Sequence, residues 1–112
     1  MFERLLARTL AIAIVLGAAA SLGFGQPAND SAASTYKTNC VSCHGVDGRG
    51  SPVGKSLHAA DFHSVQVKQQ SHAQLATVIA EGRGNMPPFG SQLSKDQITA
   101  LVKYIRTLGK AK

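Results

Sequence analysis

Cys40-Val41-Ser42-Cys43-His44 sets two thiols three positions apart, with an imidazole on the next residue. In a helical turn that spacing places the thiols about one turn apart, which suits the reach between neighbouring vinyl groups on a porphyrin edge. The adjoining imidazole then drops beneath the macrocycle. C-x-x-C-H is thus the pattern of covalent haem attachment, two thioethers and one axial nitrogen from five residues. Paired cysteines serve other chemistries too. A thioredoxin-like dithiol follows a strand, and no strand pattern precedes Cys40. A zinc site needs a fourth ligand beside Cys40, Cys43 and His44, to be found among His58, His63 and His72 with no second paired motif. A structural disulfide leaves His44 unused. Haem accounts for all three side chains.

A haem held this way has a second axial position to fill. The sequence contains two methionines, Met1 and Met86, and Met1 falls in a segment read below as a removable leader. Met86 is then the remaining thioether, and Pro87-Pro88 stiffens the backbone beside it. The competing reading of Met86 is core packing, the commoner fate of a methionine. His58, His63 or His72 as a second imidazole would give a bis-histidine haem of lower potential. Their neighbours are polar, and they read better as solvent-facing.

The elements that must position these groups follow from periodicity and caps. Residues 32–41 are helix-compatible, with Tyr36 four before Cys40 and so on the same face. Four glycines and Pro52 between Gly45 and Gly54 predict a tight loop without regular structure. The stretch to Gln70 is weakly periodic, with room for one short helix. Ser71-His72-Ala73-Gln74 has capping-box form ahead of Leu75, Val78 and Ile79, and Gly82 closes that helix. Pro87 and Pro88 keep 83–90 in a loop. Ser94-Lys95-Asp96-Gln97 repeats the box, and Ile98, Leu101, Val102, Ile105 and Leu108 mark one apolar face of a helix ending at Gly109. The expected fold class is all-α: three main helices around one covalently bound haem.

The 112 residues form one small domain. Arg4 and Arg8 precede an uncharged apolar run, the layout of a signal peptide over 1–25, cleaved between about 20 and 25 at the small residues Ala18 to Gly25. An uncleaved membrane anchor is the alternative, although the run is shorter than the ~20 apolar residues a spanning helix needs. Residues 26–31, with Pro27 and Asn29, read as a flexible lead-in to a domain over 32–112. The leader carries two of the 12 basic and one of the 6 acidic side chains, so the remainder is mildly basic. Its cations are scattered rather than in runs, which argues against nucleic acid and for acidic protein partners. With no tryptophan and few aromatics, so small a domain needs something further to fill its core. A haem disc would serve.

Taken together, Tyr36, Cys40-Val41-Ser42-Cys43-His44-Gly45, Asp47-Gly48, Gly50, Asn85-Met86-Pro87-Pro88-Phe89 and Leu101-Val102-Lys103-Tyr104-Ile105-Arg106 resemble the class I cytochrome c pattern in its short bacterial, monohaem form. The likeness spans nearly all of the chain after the leader. It implies a cytochrome c fold in which the first and last helices cross over the haem, with one edge left open. By position it assigns one haem c to Cys40 and Cys43, with His44 and Met86 on the iron. It also implies that the Pro52 carbonyl faces the other nitrogen of His44, that Leu57 and Phe89 pack on the haem, and that Tyr36 and Tyr104 meet at the helix crossing. Ala32 stands where the family usually has glycine, so a slightly wider crossing is expected. The function implied is a periplasmic, monomeric carrier of single electrons between larger redox proteins, not an enzyme, docking through a haem edge ringed by Lys37, Lys55 and Lys103. The competing functions are a haem sensor or peroxidase in which Met86 is displaced, with Asn85 steadying the incoming ligand, and a zinc or disulfide module without haem.

Overall fold

The computed structural model describes residues 28–112, together with Gly23; the expected leader over 1–25 otherwise lies outside the described residues. Among the described residues six helices follow one another: α1 (Ala28–Asn39), α2 (Val41–His44), α3 (Pro52–Ser56), α4 (Val65–Gln69), α5 (His72–Glu81) and α6 (Lys95–Lys110). Among the described residues there is no strand, only one isolated bridge between Arg83 and Met86. The described chain is all-α, and α1, α5 and α6 are its three long helices.

Both capping boxes form. The Ser71 and Ser94 hydroxyls accept from the amides of Gln74 and Gln97, whose side chains accept from the cap amides in return. Four otherwise unpaired helix-end donors are thereby satisfied, and each start is fixed to one residue. α6 lays Ile98, Leu101, Val102 and Ile105 into the core, against α1 on one side and α5 on the other.

Three boundaries differ from expectation. α1 spans Ala28–Asn39, so its first residues fall inside the stretch read as a lead-in. Gly109 lies within α6, not at its end. It is there for proximity, since a Cβ at that position would stand 2.6 Å from the Phe62 carbonyl oxygen. The glycine-rich loop ends at Ser51, where the side chain accepts from the Gly54 amide and Pro52 opens α3 as its first residue. The weakly periodic stretch holds α4, capped by Ser64.

Tyr36 is among the most deeply buried side chains. Its ring packs against Tyr104 at 5.3 Å between centroids and edge-on to Phe62 at 6.3 Å, joining α1 to α6. The hydroxyl donates to the Gly45 carbonyl at 2.6 Å, and burial keeps its proton bound far above the ordinary phenol range. Tyr36→Phe keeps the packing and orphans the Gly45 acceptor; it should lower unfolding stability by about 1 kcal/mol, read from the midpoint of denaturant unfolding.

Candidate haem site

α1 stops at Asn39, and the chain re-enters helix at once as α2, with Cys40 between them at φ −121°. The Cys40 amide still bonds the Tyr36 carbonyl at 2.8 Å, and the His44 amide bonds Cys40 at 2.8 Å. This single turn holds Cys40, Cys43 and His44 against one cavity. Both cysteines are free thiols. Burial, helped by the neighbouring Cys43, pushes the Cys40 thiol up to about 11, so it stays protonated at neutral pH.

His44 is buried, its ring stacked on Phe62 at 4.7 Å and 25°. Its Nδ1 lies 3.2 Å from the Ala60 carbonyl. Burial lowers its pKa, and the Ala60 bond opposes that only in part. The neutral ring therefore carries its hydrogen on Nδ1, donated to Ala60, and leaves the Nε2 lone pair free for a metal.

The cavity encloses about 500 Å³ and is lined by Cys40, Cys43 and His44 from one side and by Met86, Leu57 and Phe89 from others. Leu75, Ile79, Leu101 and Ile105 complete an apolar wall. Met86 sits in a turn closed on itself, Arg83 and Met86 exchanging both backbone hydrogen bonds at 3.1 and 2.9 Å. Phe89 and Gly90 then tie the loop to α5 through Ile79 and Ala80.

The donor set and the shape fit a haem. Two thiols and two metal-binding side chains face an apolar space of the size that large ligands fill. Gln70 lines the same wall and its Oε1 is buried without a protein partner, a polar spot suited to a polar group at a macrocycle's edge.

The family model described as "Cytochrome C oxidase, cbb3-type, subunit III" matches residues 27–105. The chain belongs to this family of c-type cytochromes. This c-type cytochrome is 32% identical over 105 residues to cytochrome c-555 of Methylococcus capsulatus, covering 88% of this chain and 80% of that one. It is 33% identical over 73 residues to cytochrome c6 of Microcystis aeruginosa, covering 65% of this chain and 88% of that one. The cbb3-type cytochrome c oxidase subunit FixP of Azorhizobium caulinodans is 34% identical over 84 residues; the match takes in 74% of this chain but 28% of FixP. The solved structure of the KustC0563 c-type cytochrome superposes with a TM-score of 0.66 at 31% identity, over 70% of this chain and 98% of that one. As a family member the cytochrome binds haem c, one per chain.

Pro52 does not meet its expectation. It is exposed, opens α3 and does not line the cavity; the carbonyl that meets His44 is that of Ala60. The loop after His44 is compact enough that α3 packs directly on α2, and the chain reaches the imidazole only after α3 has ended. Lys37, Lys55 and Lys103 are exposed and none of them lines the cavity, whose lining includes Arg83. His63 is half-buried with Nε2 3.0 Å from the Asp47 carbonyl, and His72 is exposed.

Phe62 was not singled out by sequence reasoning. It touches His44 and Tyr36, fills the space over Gly48 and sets its carbonyl against Gly109. A lone large aromatic in a polar stretch was the available signal. Ala60 offered none, because a backbone carbonyl leaves no trace in side-chain type. Asn85, read as a polar group beside Met86, instead donates from Nδ2 to the Leu57 carbonyl at 3.1 Å.

Proposed function

We propose that this cytochrome is an exported carrier of single electrons whose haem is joined to Cys40 and Cys43 and whose iron is held by His44 and Met86. The observation that carries the reading is the convergence of those four side chains on one apolar cavity. Bound haem supplies a one-electron Fe(III)/Fe(II) couple, and a thioether opposite an imidazole favours the reduced state, giving a positive potential. With His44 and Met86 both holding the iron, no position would be left open to a substrate. It also excludes water from the apolar wall and holds His44 in one tautomer through Ala60.

Electron exchange would occur where the macrocycle meets solvent, beside Leu57, His58 and Pro87, all exposed and all at the cavity's edge. Arg83 on the same rim and the net charge of +6 over the whole chain favour a partner with an acidic surface, in an encounter that salt weakens. Export rests on the leader layout of 1–25; no helix among the described residues is long and apolar enough to cross a membrane. Oxidase subunits such as FixP are much longer than this chain, and service within such a complex is a partner question for the same reading.

Absorption spectra of the protein matured in a host that attaches haem test these assignments. Haem retained through acid-acetone extraction, a sharp reduced α band and a weak far-red band in the oxidised state are expected. Loss of haem on extraction would overturn the roles of Cys40 and Cys43. Absence of the far-red band would remove Met86 from the iron.

A further inference from the structure

The segment 57–60 borders the cavity along its length, and its two end carbonyls have different duties. That of Ala60 receives His44 Nδ1 at 3.2 Å, while that of Leu57 receives Asn85 Nδ2 at 3.1 Å. Between them His58 stands at φ +60°, the one non-glycine residue with positive φ among the described residues. Few non-glycine residues adopt that conformation, and an exposed histidine has no packing reason to do so. The turn it makes lies between the carbonyl that receives Asn85 and the one that receives His44.

This strap is firmly held at one end. The Leu57 amide bonds Val53 and Gly54, and the Ala59 amide bonds Gly54 at 2.8 Å. The helix α3 beneath it is fixed to the cysteine turn, since the Ser51 hydroxyl donates to Ser42 at 2.6 Å and the Ser51 amide to Cys43 at 2.9 Å. The Met86 loop, by contrast, is tied to α5 after Met86 and to itself before it. Asn85 supplies the hydrogen bond found between that loop and the strap.

We infer that Asn85 is a positioning residue, a latch that ties Met86 to the strap holding His44 and so sets how readily the thioether leaves the iron. The inference rests on the assignment of Met86 as axial ligand. Without the latch the loop keeps its α5 anchors but gains freedom in 83–86, and Met86 swings away more often. A hydrogen bond of this kind is worth roughly a 2- to 10-fold change in the open population, and any external ligand that needs the vacated position binds faster by the same factor.

The test compares the loaded wild type with Asn85→Ala and Asn85→Asp. The aspartate keeps the shape but, ionised, has no hydrogen to donate to Leu57. Carbon monoxide association with the reduced protein is measured by stopped flow, and the far-red band of the oxidised protein is followed on heating. Both variants should bind carbon monoxide about 2- to 10-fold faster and lose the band at lower temperature. Hydrogen exchange of a peptide over 82–90 should also quicken while that of α6 stays unchanged. If the wild type shows the band and both variants match it in all three measurements, the latch is overturned and Met86 ligation stands. A wild type without the band overturns Met86 ligation and the latch with it. Because Asn85 is exposed, its replacement leaves the core intact.

Discussion

Gly54→Ala should cost this protein about 3 kcal/mol or more, a large share of the roughly 5–15 kcal/mol that holds a typical domain folded. A Cβ at position 54 would overlap the Cys43 carbonyl, with the Cys43 carbonyl carbon and Cα directly behind it. All of these are backbone atoms of the haem-attachment turn, so no side chain can rotate away and α3 itself must retreat. Retreat carries off the segment whose carbonyls receive His44 and Asn85. The midpoint of guanidinium unfolding, followed by helical circular dichroism, should fall sharply, and the yield of haem-loaded protein with it. Gly84→Ala is the comparison. That glycine has open space around it but φ +55°, so its replacement should cost only about 1–2 kcal/mol of backbone strain. Equal losses at the two positions would mean that α3 does not press on the cysteine turn.

Met86→Leu has the largest expected effect on the chemistry. Leucine nearly conserves volume, and a swap of that kind usually costs less than about 1.5 kcal/mol in packing; the loop's backbone bonds to α5 do not involve the side chain. The fold should therefore persist with an axial position that the protein no longer fills. The expected results are loss of the far-red band, near-stoichiometric carbon monoxide binding by the reduced protein, and a lower midpoint potential, because the ligand that favoured Fe(II) is gone. Tight carbon monoxide binding already present in the wild type would favour a sensor in which Met86 is displaced. An unchanged spectrum in Met86→Leu would send the search for the axial ligand to His58, the histidine besides His44 that lines the cavity.

How much of this was legible in the chain depended on whether side chains or backbone carried the information. The helix starts at Ser71 and Ser94 were readable because a hydroxyl and an amide three residues apart have few other uses. Cys40, Cys43, His44 and Met86, distant in sequence by as much as the span from 40 to 86, declared themselves by residue type, and the structure brings them to one cavity. What escaped was written in backbone positions. Ala60 serves through its carbonyl, and His58 through a dihedral angle that its identity does not announce. Gly54 and Gly109 looked like loop and stop signals, but both are places where two segments pass too closely for a Cβ. The segment from 55 to 70 lacked periodicity because its helical parts, the end of α3 and the five residues of α4, are too short to repeat an apolar face.

The packing of α1 on α6 also bears on the order of events during synthesis. Cys40 and Cys43 emerge well before α6, whose Leu101 and Ile105 complete the cavity wall and whose Tyr104 covers Tyr36. Contacts between the two ends of a chain close a long loop, and the entropy of that closure opposes them. Without the final helix in place, the cavity beside both thiols lacks part of its wall. Were the last helix to dock after the cysteine turn had formed, the interval between the two would be a window in which the haem could be installed.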